Sequence, residues 1–341
     1  MAHPTRVTRR QRDFLTTTTP PSDPGGAATD GAAFPIIATG LSKRYKEVLA
    51  VDSVDIKLPA GVVGGFVGPN GAGKTTTIQL LLGLVAPTGG SATVLGESIA
   101  HPSRYMARVG ALIEAPSFYP SLSGRRNLEV LTSLGRLDPA RIDEVLAIVE
   151  LSDRAKDRVK TYSLGMKQRL GVAAALLPDP ELVILDEPTN GLDPAGIREM
   201  RAVMRGLADR GITVLVSSHL LREIEAICDH LLMIDHGRIV FEGPIGGLLD
   251  AQRSGLIARP EHAKDLEPLA ELAIAAGKQA RVDGDVVRIT ADEDWAAELN
   301  RRAFAAGITL RGLEGTRASL EEAFFAITEA EDPSTEPEDQ H

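Results

Sequence analysis

Val62-Val63-Gly64-Gly65-Phe66-Val67 runs without a break into Gly68-Pro69-Asn70-Gly71-Ala72-Gly73-Lys74-Thr75, and this stretch decides the fold. Its first part is short and apolar, as a strand buried in a parallel sheet must be. From about Lys74 to Leu84 the residues read as a helix. A strand, a glycine-rich loop and a helix start together make a cradle for phosphate. Phosphate oxygens need many N–H donors and a backbone that comes close. Gly71 and Gly73 permit the required backbone angles and remove side chains. The helix N-terminus turns its dipole toward the anion. Lys74 brings positive charge to β and γ phosphates, and the Thr75 hydroxyl can ligate Mg2+. A structural glycine-rich turn is the alternative, and the position of the loop between strand and helix weighs against it.

Further along, Leu182-Val183-Ile184-Leu185 ends in Asp186-Glu187. Strand alternation is expected to send the two carboxylates to opposite sides, so they need different tasks. Asp186 is suited to hold Mg2+ through water or Thr75, and Glu187 to polarise an attacking water. A strand ending in Asp-Glu is common by itself; its company with the phosphate loop gives it meaning. A third apolar run, Thr213 to Val216, leads into Ser217-Ser218-His219. A histidine just past a parallel strand lies on the ligand edge of the sheet, where it can reach a γ-phosphate. A lone histidine is more often a surface or core residue, and again the neighbouring motifs tip the reading.

Between Pro35 and about Gly247, short β-rich runs alternate with helical stretches such as Ile197 to Arg210. Such alternation predicts an α/β fold, a parallel sheet covered by helices. Ile36 to Ala38 and Val51 to Leu58 read as antiparallel pieces at its edge. Asp235-His236-Gly237 reads as a turn into a last strand, Arg238 to Phe241. A second unit, residues 248–328, begins with strand Leu256 to Arg259, helix His262 to Ala276 and strands Gln279 to Val282 and Val286 to Thr290. Helix Asp294 to Ala306 and strand Thr309 to Leu313 follow. Asp283-Gly284 is a hairpin signal, and βαββαβ is the order of a ferredoxin-like α+β module. A last helix is expected over Ser319 to Thr328. Trp295 reads as a packing residue.

The chain has 341 residues, 43% hydrophobic and only 4% aromatic, so its core should be aliphatic. The net charge of −10 argues against a nucleic-acid partner. Cys228 is alone, which excludes an intrachain disulfide and fits a small buried side chain. Residues 1–34, with Arg6, Arg9, Arg10 and Arg12, read as a disordered leader, and residues 329–341 as an acidic disordered tail. With no run of about 18 apolar residues and no secretory pattern, a cytoplasmic chain is expected, reaching a membrane only through a partner.

These motifs, in this order, resemble an ATP-binding cassette, the nucleotide-binding subunit of an ABC transporter. The resemblance covers about Ile36 to Gly243 and implies a P-loop NTPase cassette, a mixed sheet with a helical subdomain. It implies that Tyr45 stacks on adenine and that Gly68 to Thr75, with Thr76, holds the ATP phosphates. It matches Tyr162-Ser163-Leu164-Gly165-Met166 to the signature, Asn190-Gly191-Leu192-Asp193 to the loop crossing a dimer seam, and His219 to the switch histidine. Two copies would face head to tail with ATP and Mg2+ between them. Ser163 and the Gly165 N–H of one copy, with Asp193, would complete the site of the other, with Lys74, Glu187 and His219 as the catalytic groups.

Two departures stand out. The usual signature is Leu-Ser-Gly-Gly-Gln, yet Ser163 and Gly165 survive here. The family usually has Gln at the position of Glu114, which follows Val109-Gly110-Ala111-Leu112-Ile113. Glu114 would put a negative charge near the triphosphate, unfavourable unless Mg2+ compensates it. It is read as a cofactor and metal contact, with a merely tolerated change as the alternative. Both departures resemble the bacitracin- and lantibiotic-export type, and Ala318-Ser319-Leu320-Glu321-Glu322-Ala323-Phe324 resembles the drug- and antibiotic-export branch. The resemblance implies a separate membrane permease, with Phe118 and Tyr119 in the groove that receives it; ordinary loop packing is the other reading. A soluble ABC ATPase without a permease is the alternative function. Two cassettes in one chain or a long coiled coil would favour that alternative, and neither is present.

Overall fold

A computed structural model describes residues 33–114, 116–251, 255–316, and 320, 321, 323, 324 and 327. The expected leader up to residue 32, the acidic tail and half of the residues of the expected helix Ser319 to Thr328 lie outside them. The chain divides into two compact units, with the break between Pro244 and Ile245.

The first unit holds two sheets. β1 (Ile36–Tyr45), β2 (Val48–Leu58), β4 (Gly89–Val94) and β5 (Glu97–Ser98) form an antiparallel sheet in the order β2-β1-β4-β5. The expected edge pieces are therefore antiparallel, but they belong to a sheet of their own. The reason is visible in β2, where buried and exposed residues alternate from Val54 to Leu58. Such a strand has one wet face and does not suit a sheet covered on both sides.

The main sheet contains β3 (Val63–Val67), β6 (Val109–Leu112), β7 (Leu182–Leu185), β8 (Thr213–Ser218), β9 (His230–Asp235) and β10 (Arg238–Pro244). Its order is β10-β9-β3-β8-β7-β6. All neighbours run parallel except β9 and β10, which are antiparallel. β3, β7 and β8 are buried along their whole length, as their unbroken apolar runs require. β6 and β9 are strands that the sequence reading did not anticipate.

α1 (Lys74–Leu81) stops earlier than Leu84. Gly83 takes φ +66°, Leu84 N–H donates to Gln79 O and Gly83 N–H to Leu80 O, the paired bonds of a glycine C-cap. Helices α2 (Gly124–Gly135), α3 (Arg141–Ile148) and α4 (Leu164–Leu176) form the insertion between β6 and β7. Arg169 of α4 ties it together, donating to Val149 O and Glu150 O and pairing with Glu199 at 3.0 Å. α5 (Pro194–Ala208) starts before the expected Ile197, because Asp193 caps it and Pro194 opens it, and it ends at Ala208 rather than Arg210. The short α6 (Leu221–Glu225) follows His219. The core is aliphatic as expected, with Phe66 and Tyr105 its large aromatic members. Cys228 is buried among it, and desolvation pushes its thiol well above the usual range.

The second unit opens with α7 (Ile245–Ala251). It then runs β11 (Gly255–Pro260), α8 (Leu266–Ala275), β12 (Gln279–Asp283), β13 (Val286–Thr290), α9 (Ala296–Ala305), β14 (Leu310–Thr316). The strand order β12-β13-β11-β14, all antiparallel, is that of a ferredoxin-like sheet. Trp295 packs against its core and Lys278 Nζ lies 5.5 Å above the ring. Among the described residues no helix is long and apolar enough to cross a membrane.

Candidate functional site

β3, β8, β7 and β6 are consecutive in the main sheet, and each ends in one of the motifs singled out above. Their carboxyl ends carry the phosphate loop, His219, Asp186-Glu187 and Glu114, so one edge of one sheet collects them.

The phosphate loop leads into α1 with Gly73 as its N-cap at φ +107°. A Cβ at Gly73 would lie 2.4 Å from Ala50 O, so only glycine fits. No side chain caps this helix and no acidic residue sits in its first turn. The first-turn N–H groups and the positive end of the dipole are therefore open to an anion. Lys74 is 6% exposed, and its Nζ donates to Gly68 O at 2.7 Å and Pro69 O at 3.2 Å. The same Nζ lies 3.6 Å from Glu187 Oε1. A cavity of about 420 Å³ opens here, lined by Asn70, Gly71, Gly73, Lys74, Thr75 and Thr76, with Glu187 and His219 across from them.

The acid pair is arranged differently from the expectation. Strand alternation does not separate the two carboxylates: β7 ends at Leu185, and Glu187 turns the chain at φ +49°. Asp186, 5% exposed, stays below the cavity and accepts a bond of 2.8 Å from the Thr75 hydroxyl. Its other oxygen accepts one of 2.5 Å from the Ser217 hydroxyl. Glu187 is left at the cavity wall, where Oε2 lies 2.8 Å from His219 Nδ1. Distinct surroundings follow from the turn rather than from the pleat.

A hydroxyl and a carboxylate side by side, Thr75 and Asp186, are hard oxygen donors that suit Mg2+. Among the described residues no cluster of three or more His, Cys, Asp or Glu side chains could cage a metal.

Gly68, Pro69 and Ala72 belong to the loop but do not line the cavity. Neither do Tyr45, Glu114, Ser163, Gly165 and Asp193. Tyr45 is 42% exposed at the end of β1, with Lys43 Nζ 4.9 Å above its ring. Glu114 is exposed at φ +61°. Ser163 is the exposed N-cap of α4, accepting from Met166 N–H at 3.2 Å, and Gly165 lies in the first turn. Asp193 caps α5 by accepting from Gly196 N–H at 2.8 Å. Phe118 is half-buried and Tyr119 exposed.

Ala50 and Ser217 carry no sequence signal of a site, and Asn190 is pointed to only as part of the loop matched to a dimer seam. Ala50 lines the cavity from β2, a contact between two different sheets that no local pattern announces. Asn190 also lines it, from the loop ahead of Asp193. Below that loop the Thr189 hydroxyl donates to the buried Glu223 carboxylate, which ties the loop to α6 beside His219.

A phosphate cradle on the central strand, with an acid pair and a histidine on the neighbouring strand ends, defines a P-loop nucleoside triphosphatase. The ABC transporter family model matches residues 51–190. The bacitracin transport ATP-binding protein BcrA of Bacillus licheniformis is 39% identical over 295 residues, covering 86% of this chain and 96% of that protein. The daunorubicin/doxorubicin resistance ATP-binding protein DrrA of Streptomyces peucetius is 36% identical over 319 residues, covering 88% and 95%. The dimeric post-hydrolysis form of the ATP-binding cassette MJ0796, bound to ADP and Pi, superposes with a TM-score of 0.54 at 22% identity over 62% of this chain and 98% of that one. The chain belongs to the ABC transporter ATP-binding family, whose cassettes hydrolyse ATP.

Proposed function

We propose that this chain is the ATP-hydrolysing subunit of a membrane exporter, acting as a pair of copies beneath a separate permease. The observation that carries this reading is a division among the motif residues. Lys74, Thr75, Glu187 and His219 surround one cavity, with Asp186 beneath it. Ser163 and Asp193 lie outside that cavity, exposed. Each copy then offers a phosphate site and, elsewhere, the exposed Ser163-capped start of α4 to the γ-phosphate held by the other.

In this reading the first-turn N–H groups of α1 and Lys74 hold the triphosphate, and Tyr45 supplies the platform for adenine. Thr75 and Asp186 would hold Mg2+, which when bound would neutralise charge on the phosphates. Glu187 accepts the proton of the attacking water, and His219 holds the Glu187 carboxylate in place while facing the γ-phosphate. Lys74 leaves its contact with Glu187 for the phosphates, which frees that carboxylate for water. Two copies closed on ATP and released after hydrolysis give the motion that a permease would use. Export rather than import is supported by the word resistance in the name of the relative DrrA.

Pull-down of the tagged chain from detergent-solubilised membranes of its source cells tests the partnership. An integral membrane protein recovered in a fixed ratio is the expected result, and recovery of the chain alone would count against it. Phe118→Ala with Tyr119→Ala should leave ATP affinity within about twofold and reduce recovery of that protein at least tenfold, an interface anchor effect. Glu114→Gln removes a charge near the triphosphate, so the Mg2+ concentration at half-maximal turnover should shift by about threefold or more. Unchanged turnover and Mg2+ dependence would leave Glu114 as a tolerated change.

A further inference from the structure

We infer that Ser217 is a positioning residue for hydrolysis: its one hydroxyl clamps Asp186 and the Glu187 backbone together. The inference rests on the reading of Asp186 and Glu187 given above and adds to it what holds them.

Val214-Leu215-Val216 makes β8 a buried apolar strand, and a fully buried hydroxyl at its end needs partners. Ser217 Oγ finds both in the acid pair. Its proton goes to Asp186 Oδ1 at 2.5 Å, and it accepts the Glu187 N–H at 2.9 Å. The backbone ladder between β7 and β8 ends at the pair Leu185 and Val216. The Ser217 side chain takes over the next rung, while its backbone continues pairing with Phe66 on β3.

Two consequences follow from this single group. Asp186 is gripped on both oxygens, by Ser217 on Oδ1 and by Thr75 on Oδ2. Held at both ends, its carboxylate keeps one oxygen aimed at Thr75, where Mg2+ would be held in the reading above. Glu187 holds φ +49°, a conformation that a non-glycine residue keeps only when its surroundings enforce it. The bond from its N–H to Ser217 is such an enforcement, and this turn brings its carboxylate to Lys74 and His219. Ser217 is fully buried and does not line the cavity, so it acts through Asp186 and Glu187. Groups of this kind commonly govern metal affinity and activity by about 10- to 100-fold.

Ser217→Ala tests the clamp, with Ser217→Thr as the variant that keeps the hydroxyl and Asp186→Asn as control. ATP binding in EDTA, thermal unfolding, turnover, and the Mg2+ concentration at half-maximal turnover are measured for each. Ser217→Ala should keep EDTA-state ATP affinity within about twofold, lower kcat at least tenfold and raise the half-maximal Mg2+ at least about threefold. Ser217→Thr should recover most of both losses. Wild-type kcat and Mg2+ dependence in Ser217→Ala, beside a collapsed Asp186→Asn, would overturn the clamp alone. A parallel fall of melting temperature and EDTA-state ATP binding in Ser217→Ala would also overturn it, since the hydroxyl would then serve the fold. Unchanged Mg2+ dependence in Asp186→Asn would overturn the inference together with the reading beneath it.

Discussion

Glu187→Gln should lower ATP turnover by at least about 10²-fold while ATP affinity stays within a few-fold, the loss expected when a positioned general base is removed. The substitution keeps the size of the side chain and an oxygen that can still meet His219 Nδ1, now 2.8 Å from Oε2. What disappears is the capacity to accept a proton from water. The charge facing Lys74 at 3.6 Å disappears too, which leaves the ammonium free for phosphate and favours retention of ATP. Two copies held by unhydrolysed ATP should then run as a dimer in size-exclusion chromatography with ATP and as a monomer with ADP. Turnover above about a tenth of wild type would remove Glu187 from the role of base.

Lys74→Ala should weaken ATP binding by about 3 kcal/mol, roughly 10²-fold, the scale for removing one partner of a buried charge pair. The ammonium is buried and already bonded to Gly68 O and Pro69 O, so the loop is built around it. Without it the γ-phosphate would meet Glu187 and those carbonyl oxygens with no opposing charge. Lys74→Arg should rescue little, because a planar fork does not replace a point charge in a closed slot. Isothermal titration of ATP into each variant gives the affinities. An affinity within threefold of wild type in Lys74→Ala would contradict the phosphate-binding role.

Much of the fold could be read from local pattern, and the failures have physical causes. The runs at β3, β7 and β8 are strands buried on both faces, so continuous apolar sequence identifies them. β6 is four residues long and carries Gly110 and Ala111, too little apolar bulk to stand out. β1 and β2 look like members of any antiparallel sheet, because pleat alternation says which face is dry but not which sheet supplies the partner. The end of α1 followed from a glycine cap, which needs the backbone angle at Gly83 as well as the residue type. The α+β order of the second unit was legible because each of its elements is short and bounded by turns, and Asp283-Gly284 links two of them directly.

For the site, the sequence by itself determined the phosphate loop, since Gly71, Gly73, Lys74 and Thr75 are contiguous and their chemistry is that of one turn and one helix start. It also identified Asp186, Glu187 and His219 as groups on strand ends. Only the tertiary structure decided how they are placed relative to one another. Thr75 and Asp186 are 111 residues apart, and they meet because β7 pairs with β8 and β8 with β3. Ser217 lies 30 residues from Glu187 and 31 from Asp186, and it joins them through a side-chain rung that no spacing rule encodes. The positive φ at Glu187, not the pleat of its strand, separates the two carboxylates. A backbone angle of that kind is enforced by neighbours in space, so it could not be read from Leu185-Asp186-Glu187 alone.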